Sequence, residues 1–427
     1  MLTLNRFSIG AVVCLTASVV LSAAVPGQRA GEPTFSIDVQ SPTVGLTEAW
    51  SPSSITAGDI LSSPIPAWPI GTPGPGPFNT PPGISVPYTS LGLVQVLTAG
   101  PPEVDALSYG NDALRVDLNP HVSMHFSVDR LAVGVPGLLA PPNVFTEGAS
   151  GSQEAAADVF INATLPVPSL NPLPPPLPPY PTTLVPGAGN TSQYDGNGVA
   201  PSGLPGYALA ETVVGTPHHS DDLDAVDVDT VSTDLNGPIF FSLDTASTQA
   251  YQVAGGVHPV GGDVLKTTAA GPPVVYVSAA SLGLDQAGPN TDDLDALALW
   301  DDDGVWEPST EHNTRANPIL FSVRRGSAVI GQRDSIFGAP IEEGDVLTDP
   351  AMAATILNRA GKPPSPFAGS PGIIIAAEQL GLVTARFNSE PADDLNALDA
   401  VAVPEPTTMA VVALGGTLFL VRRRRKA

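Results

Sequence analysis

The chain has 427 residues, with 42 Asp and Glu set against 17 Lys and Arg and a single cysteine. A formal charge of −25 repels nucleic acid and anionic lipid, which sets nucleic-acid binding aside. One thiol, Cys14, excludes a disulfide-stapled scaffold and a thiolate zinc site.

Met1 to Arg6 supplies a short basic segment, Ile9 to Leu21 an apolar one, and Ser22-Ala23-Ala24 small residues before Val25. This order predicts a secretory signal helix over residues 1–24, removed by signal peptidase. Cys14 lies inside the apolar segment behind Val13, where a lipidation site needs a small residue, so the exported chain carries no thiol and no cysteine nucleophile. Without the leader and the basic C-terminal tail, 11 basic side chains face 41 acidic ones, near −30. Such a surface favours solubility and attracts cations.

Between the two ends one ordered set of motifs recurs four times. A Phe-Ser pair opens each set, at Phe35-Ser36-Ile37-Asp38, Phe126-Ser127-Val128-Asp129, Phe241-Ser242-Leu243-Asp244 and Phe321-Ser322-Val323-Arg324. A small residue, Asp and two apolar residues follow, at Gly58 to Leu61, Ala157 to Phe160, Gly262 to Leu265 and Gly344 to Leu347. Third comes an apolar stretch ending in Leu-Gly-Leu, at Leu91 to Leu93, Leu282 to Leu284 and Leu380 to Leu382, with Ala210 to Val214 as a degenerate second copy. An acidic motif closes each set: Glu103-Val104-Asp105-Ala106-Leu107, Asp221-Asp222-Leu223-Asp224-Ala225-Val226, Asp292-Asp293-Leu294-Asp295-Ala296-Leu297 and Asp393-Asp394-Leu395-Asn396-Ala397-Leu398.

Period-two alternation with β-branched and aromatic residues between Gly, Pro and Asp makes each motif read as a strand. Four short strands in each of four units predict an all-β domain over 25–402, with repeats at about 35–112, 126–229, 241–303 and 321–401. A four-bladed propeller is the simplest closed arrangement, an open β-solenoid and paired β-sandwiches being the alternatives. The Phe-Ser positions 35, 126, 241 and 321 are unevenly spaced, and the excess sits in Pro-rich loops such as Pro166 to Pro186, which cannot pair in a central strand. The repeats loosely resemble those of exported bacterial proteins in which a Phe-Ser-Val-Asp-like strand precedes an Asp-Ala-Leu motif. That resemblance implies no activity.

The acidic motif is the chemical candidate. Strand alternation places Asp293 with Asp295, and Asp222 with Asp224, as pairs of hard oxygen donors suited to Ca²⁺, with Asp301 to Asp303 following the third copy. None fits an EF-hand, and the competing role is structural, the acids capping backbone N–H groups at turns and strand edges. His218-His219 reads as a loop pair, because adjacent strand histidines point to opposite faces. No Gly-x-Ser-x-Gly, His-Glu-x-x-His or phosphate-cradling loop occurs. A carboxylate pair for cleaving polysaccharide is a spatial feature that sequence does not reveal, so an extracellular hydrolase or lyase is the alternative function.

The last 25 residues join Val403-Pro404-Glu405-Pro406, an apolar run from Thr407 to Val421, and Arg422, Arg423, Arg424, Arg425 and Lys426. A polar hinge, an apolar transmembrane helix and terminal cations make a stop-transfer device. The 15-residue span is shorter than the 20 or so that cross a bilayer comfortably. In this order the three elements closely resemble the PEP-CTERM sorting signal of Gram-negative bacteria. The resemblance implies recognition by an exosortase, cleavage near Pro-Glu-Pro and transfer to the cell surface. Taken together, the sequence leads us to expect an exported protein, first held in the inner membrane, then placed at the surface or in the extracellular matrix with a structural or binding role. Its partners there would be polysaccharide or other envelope components.

Overall fold

The computed structural model describes residues 33–64, 80–95, 102–108, 124–137, 142–149, 154–162, 189–196, 209, 221–228, 239–248, 251–268, 271–299, 319–386 and 391–399. The leader, the apolar tail, the Pro166 to Pro186 run, Ala210 to Val214, His218-His219 and Asp301 to Asp303 lie outside these residues. Among the described residues no helix is long and apolar enough to cross a membrane.

Four antiparallel sheets of four short strands make a β-propeller-like arrangement. Blade 1 runs outward as β18 (Leu395–Asp399), β1 (Thr34–Ile37), β2 (Ile60–Ser62) and β3 (Gly83–Val86). Blade 2 is β5 (Ala106–Ser108), β6 (Met124–Ser127), β8 (Val159–Asn162) and β9 (Thr191–Tyr194). Blade 3 is β10 (Ala225–Val228), β11 (Ile239–Ser242), β12 (Val264–Thr268) and β13 (Gly271–Val277), and blade 4 is β14 (Leu294–Leu299), β15 (Ile319–Val323), β16 (Val346–Thr348) and β17 (Gly372–Ile375). A separate pair joins β4 (Leu93–Val94) to β7 (Val133–Gly134). Each blade takes its three outer strands from one sequence unit and its innermost strand, the acidic motif, from the unit before. The last strand thereby pairs with the first and closes the ring.

The Phe-Ser pair explains itself once the blades are in place. Phe35, Phe126, Phe241 and Phe321 are fully buried, each in one of four apolar cores that lie between neighbouring blades. The alanines of the acidic motif, Ala397, Ala106, Ala225 and Ala296, enter the same cores from the blade before. Each following serine donates across the junction to the carbonyl of the apolar residue in the next acidic motif: Ser36 to Val104, Ser127 to Leu223, Ser242 to Leu294 and Ser322 to Leu395. A hydrophobic face that one sheet cannot cover is covered by its neighbour, and a hydrogen bond fixes the register between them. Irregularities repeat as well. Ser85, Gln193, Tyr276 and Ile374 are the extra residues of equivalent bulges in the four outer strands.

Two sequence expectations are corrected. Leu-Gly-Leu is not the heart of a strand: the apolar stretch before it forms the outer strand in blades 1, 3 and 4. The motif itself ends a one-turn helix at Gly92, Gly283 and Gly381, whose φ values of 76°, 81° and 83° favour glycine. In blade 2 the outer strand is Thr191–Tyr194, well before Ala210. The Asp of the second motif is a cap. Asp59, Asp263 and Asp345 each accept from the N–H three residues earlier and from the N–H that opens the helical turn, Tyr88, Ala279 or Ala377.

Candidate functional site

The four inner strands pack around one axis, each touching the next. Their amino-terminal ends carry the acidic motif, whose three polar positions, all acidic in the second and third copies, have separate fates. The leading one is structural. Asp292 accepts from Asp285 and Val329 N–H, and Asp393 accepts from Thr43 and Val383 N–H. For these residues the capping expectation holds.

The second acid of each motif, Glu103, Asp222, Asp293 or Asp394, reaches toward the preceding blade. Glu103 accepts from Val39 N–H at 2.9 Å, Asp293 from Thr245 N–H at 3.2 Å and Asp394 from Arg325 N–H at 3.1 Å, all donors sited just after a Phe-Ser strand. In β14 and β18 the next acidic-motif position, Asp295 or Asn396, is the extra residue of a bulge, since Leu294 pairs with Val323 and Ala296 with Ser322, while Leu395 pairs with Ile37 and Ala397 with Ser36. A bulge re-aims the side chain that it displaces.

The contacts that matter therefore run between blades, not along one strand. After burial, Asp222 is the largest charged influence on Asp105, Asp293 on Asp224 and Asp394 on Asp295. At the fourth junction Asn396 Nδ2 donates to Glu103 Oε1 at 2.7 Å. Four equivalent junctions form a ring, three of them carboxyl against carboxyl and one amide against carboxyl. Asp38, Asp129 and Asp244, from the Phe-Ser motifs, add further negative charge beside it.

Three arginines partly balance these acids. Arg324 stands where the other three Phe-Ser motifs carry Asp, and its Nη1 lies 3.4 Å from Asp244, 3.6 Å from Asp224 and 3.8 Å from Asp293. Those carboxylates hold its guanidinium protonated more firmly than usual. Arg130 Nε is 3.2 Å from Asp222, and Arg325 Nη1 is 3.8 Å from Asp38. Among the described residues, no arginine makes a side-chain ion pair with Asp295 or Asp394. Asp222 Oδ1, Asp224 Oδ2, Asp293 Oδ1, Asp295 Oδ2 and Asp394 Oδ1 are buried without a hydrogen-bond donor.

Burial is the first cause of what happens to these carboxyls, and mutual repulsion adds to it. Asp222 and Asp394 are pushed up to about 7, Asp293 to about 6 and Glu103 to about 8, while Asp105, Asp224 and Asp295 rise well above the carboxylate range. The ring cannot be fully ionised at neutral pH. It is built to gain from any positive charge, whether a proton, a guanidinium or a metal ion.

Of the residues read as calcium ligands, the structure brings all four to this end of the axis but distributes them. Asp222 faces Asp105 and Arg130, Asp224 and Asp293 share Arg324, and Asp295 faces Asp394. Among the described residues no three acidic, histidine or cysteine side chains converge as a ready-made metal cage. Arg130, Arg324 and Arg325 were the missed members of the site. The signal for Arg324 was in the sequence, as the single basic residue among four aligned Phe-Ser motifs.

No curated protein and no solved structure matches the chain significantly. Residues 402–426 match the family model of the PEP-CTERM protein-sorting motif, which contains Val403, Pro404, Glu405, Pro406 and the four arginines Arg422 to Arg425. The chain thus carries a PEP-CTERM sorting motif, which implies exosortase processing and supports export to the surface or extracellular space.

Proposed function

We propose that the protein serves a structural or binding role at the cell surface or in the extracellular matrix, with the carboxylate ring as a cation-binding element that stabilises the propeller. The observation that carries this reading is the recurrence of an equivalent junction between neighbouring blades, carboxyl against carboxyl at three of the four. A hydrolase would concentrate convergent polar groups in one asymmetric pocket, whereas a binding or structural array repeats them. The domain limits fit the same picture: a leader over 1–24, the repeat domain over 25–402 and a sorting tail over 403–427, cut near Pro404 by exosortase.

Calcium suits the donor set, because carboxylate oxygens are hard ligands and several here lack a donor. Asp222, Asp224, Asp293 and Asp295 would supply them, and water would complete a coordination shell that the protein alone does not close. An ion that binds only the folded chain stabilises it by mass action. Millimolar Ca²⁺ should raise the melting temperature of the mature protein more than Mg²⁺ at matched ionic strength. Asp293→Asn with Asp295→Asn should remove most of that difference. Equal shifts with both ions would mean general screening, and calcium would then have no place in the function.

A further inference from the structure

The two ends of the propeller axis differ, and the tail leaves from only one. The inner strands all start at the ring and run away from it. Their far ends adjoin, since Asp227 of β10 accepts from Ser108 Oγ of β5 at 2.9 Å and from Leu299 N–H of β14 at 2.8 Å. The connections 109–123, 229–238 and 300–318, from inner strand to second strand, begin and end there. Asp399, the last residue of β18, lies at the same end, opposite Thr34.

Only three residues separate Asp399 from Val403, where the sorting motif's Val-Pro-Glu-Pro begins. The apolar run starts at Thr407, eight residue steps from Asp399, which span at most about 29 Å. The inner strands touch one another, so a chain returning to the level of Asp394 passes outside a blade, about 14 Å across three strand spacings and then about 16 Å along five strand residues. Even fully extended, the tail therefore does not bring its apolar run to the ring end. We infer that the protein is tethered by the end of its axis opposite the carboxylate ring, so that while the tail is held in the membrane the ring faces the medium and is the surface offered to ions and partners. This rests on the tail acting as a membrane-held sorting signal.

The absence of any cysteine but Cys14 makes the test clean. In a Cys14→Ser background, a donor fluorophore is placed on Gln40→Cys or Leu131→Cys, both exposed beside the ring, or on Asp301→Cys, two residues beyond Leu299 and so within about 7 Å of the far end. The full chain is incorporated into liposomes that carry acceptor-labelled lipid. Energy transfer should be at least two-fold greater from position 301 than from positions 40 and 131, and it should vanish for all three when the tail is cut near Pro404. Two ring-end positions guard against a single perturbed site. Equal transfer from the two ends, or more from the ring end, in a chain that co-floats with the liposomes overturns the orientation alone. A chain that never co-floats overturns the membrane-held tail and the orientation with it.

Discussion

Two clusters of buried acids in this protein are treated in opposite ways. In blade 4, Arg386 is almost fully enclosed and its guanidinium is fully used. Nη1 and Nη2 grip both oxygens of Asp345, Nε and Nη2 bind Glu378, and Nη1 also donates to the Pro340 carbonyl. Ala385 N–H takes up Glu342, and Thr384 Oγ1 donates to Glu378. No buried oxygen of that cluster lacks a donor. At the ring, three arginines serve a larger group of acids through longer contacts, and five carboxylate oxygens have none. The same chemistry is completed where it holds a blade together and left incomplete at the axis. Incomplete compensation costs stability, so its recurrence at equivalent positions argues for a use.

The largest effect should come from breaking the complete cluster. Arg386→Ala leaves Asp345, whose carboxyl burial already pushes upward, facing two other acids with no cation. Removing one partner of a buried ionic network typically costs about 3–5 kcal/mol. Chemical denaturation should show a loss of that order, with Arg386→Lys recovering only part of it, because an ammonium cannot bridge two carboxylates in a plane. A loss below about 1 kcal/mol would show that the contrast between the clusters is not energetic.

The ring should instead declare itself through pH. Asp222 and Asp394 titrate near 4 when unfolded and near 7 when folded, so between those values the folded chain holds protons that the unfolded chain has released. Stability from this source is complete below about pH 4 and falls as pH rises through about 7. Without divalent ions, the melting temperature should therefore drop between pH 5 and pH 8, by the equivalent of about 2–3 kcal/mol for each of the two carboxyls. Asp295→Asn with Asp394→Asn should flatten the profile. An unchanged slope in that variant would assign the drop to acids elsewhere.

How far the sequence revealed this molecule depends on the kind of contact. The four ordered motifs disclosed four units and the buried Phe and Leu positions, because core packing writes itself into periodic apolar residues. Leu-Gly-Leu misled, since a one-turn helix closed by a left-handed glycine presents the same apolar spacing as a short strand. The ring was legible as composition and not as geometry. Alternation joined Asp293 to Asp295, yet the bulge at Asp295 and the donation of each inner strand to the next blade joined Asp224 to Asp293 and Asp295 to Asp394. No local pattern records which blade a strand will enter. The Arg386 cluster was invisible for the same reason: Asp345 belongs to the second motif, but Glu342, Glu378 and Arg386 reach it from turns outside the motifs.

The smallest predicted effect has the opposite sign to the first. The fourth copy of the acidic motif already carries an amide, Asn396, which donates to Glu103 and so turns a repulsive junction into a hydrogen-bonded one. Asp295 occupies the equivalent position against Asp394, with an oxygen that has no donor and a charge opposed by its neighbours. Asp295→Asn preserves shape, removes that charge and offers Asp394 the same N–H that Glu103 receives. A hydrogen bond formed in place of repulsion should stabilise the calcium-free protein by about 1 kcal/mol at pH 8, and by less at pH 5, because acid favours protonation of a carboxyl that burial already pushes upward. The same change should weaken the response to Ca²⁺. Stabilisation at both pH values alike would mean that the substitution acts through packing and that the junction carries no charge to relieve. A loss of stability would mean that Asp295 already has a partner in solution, leaving the ring no less compensated than the cluster around Arg386.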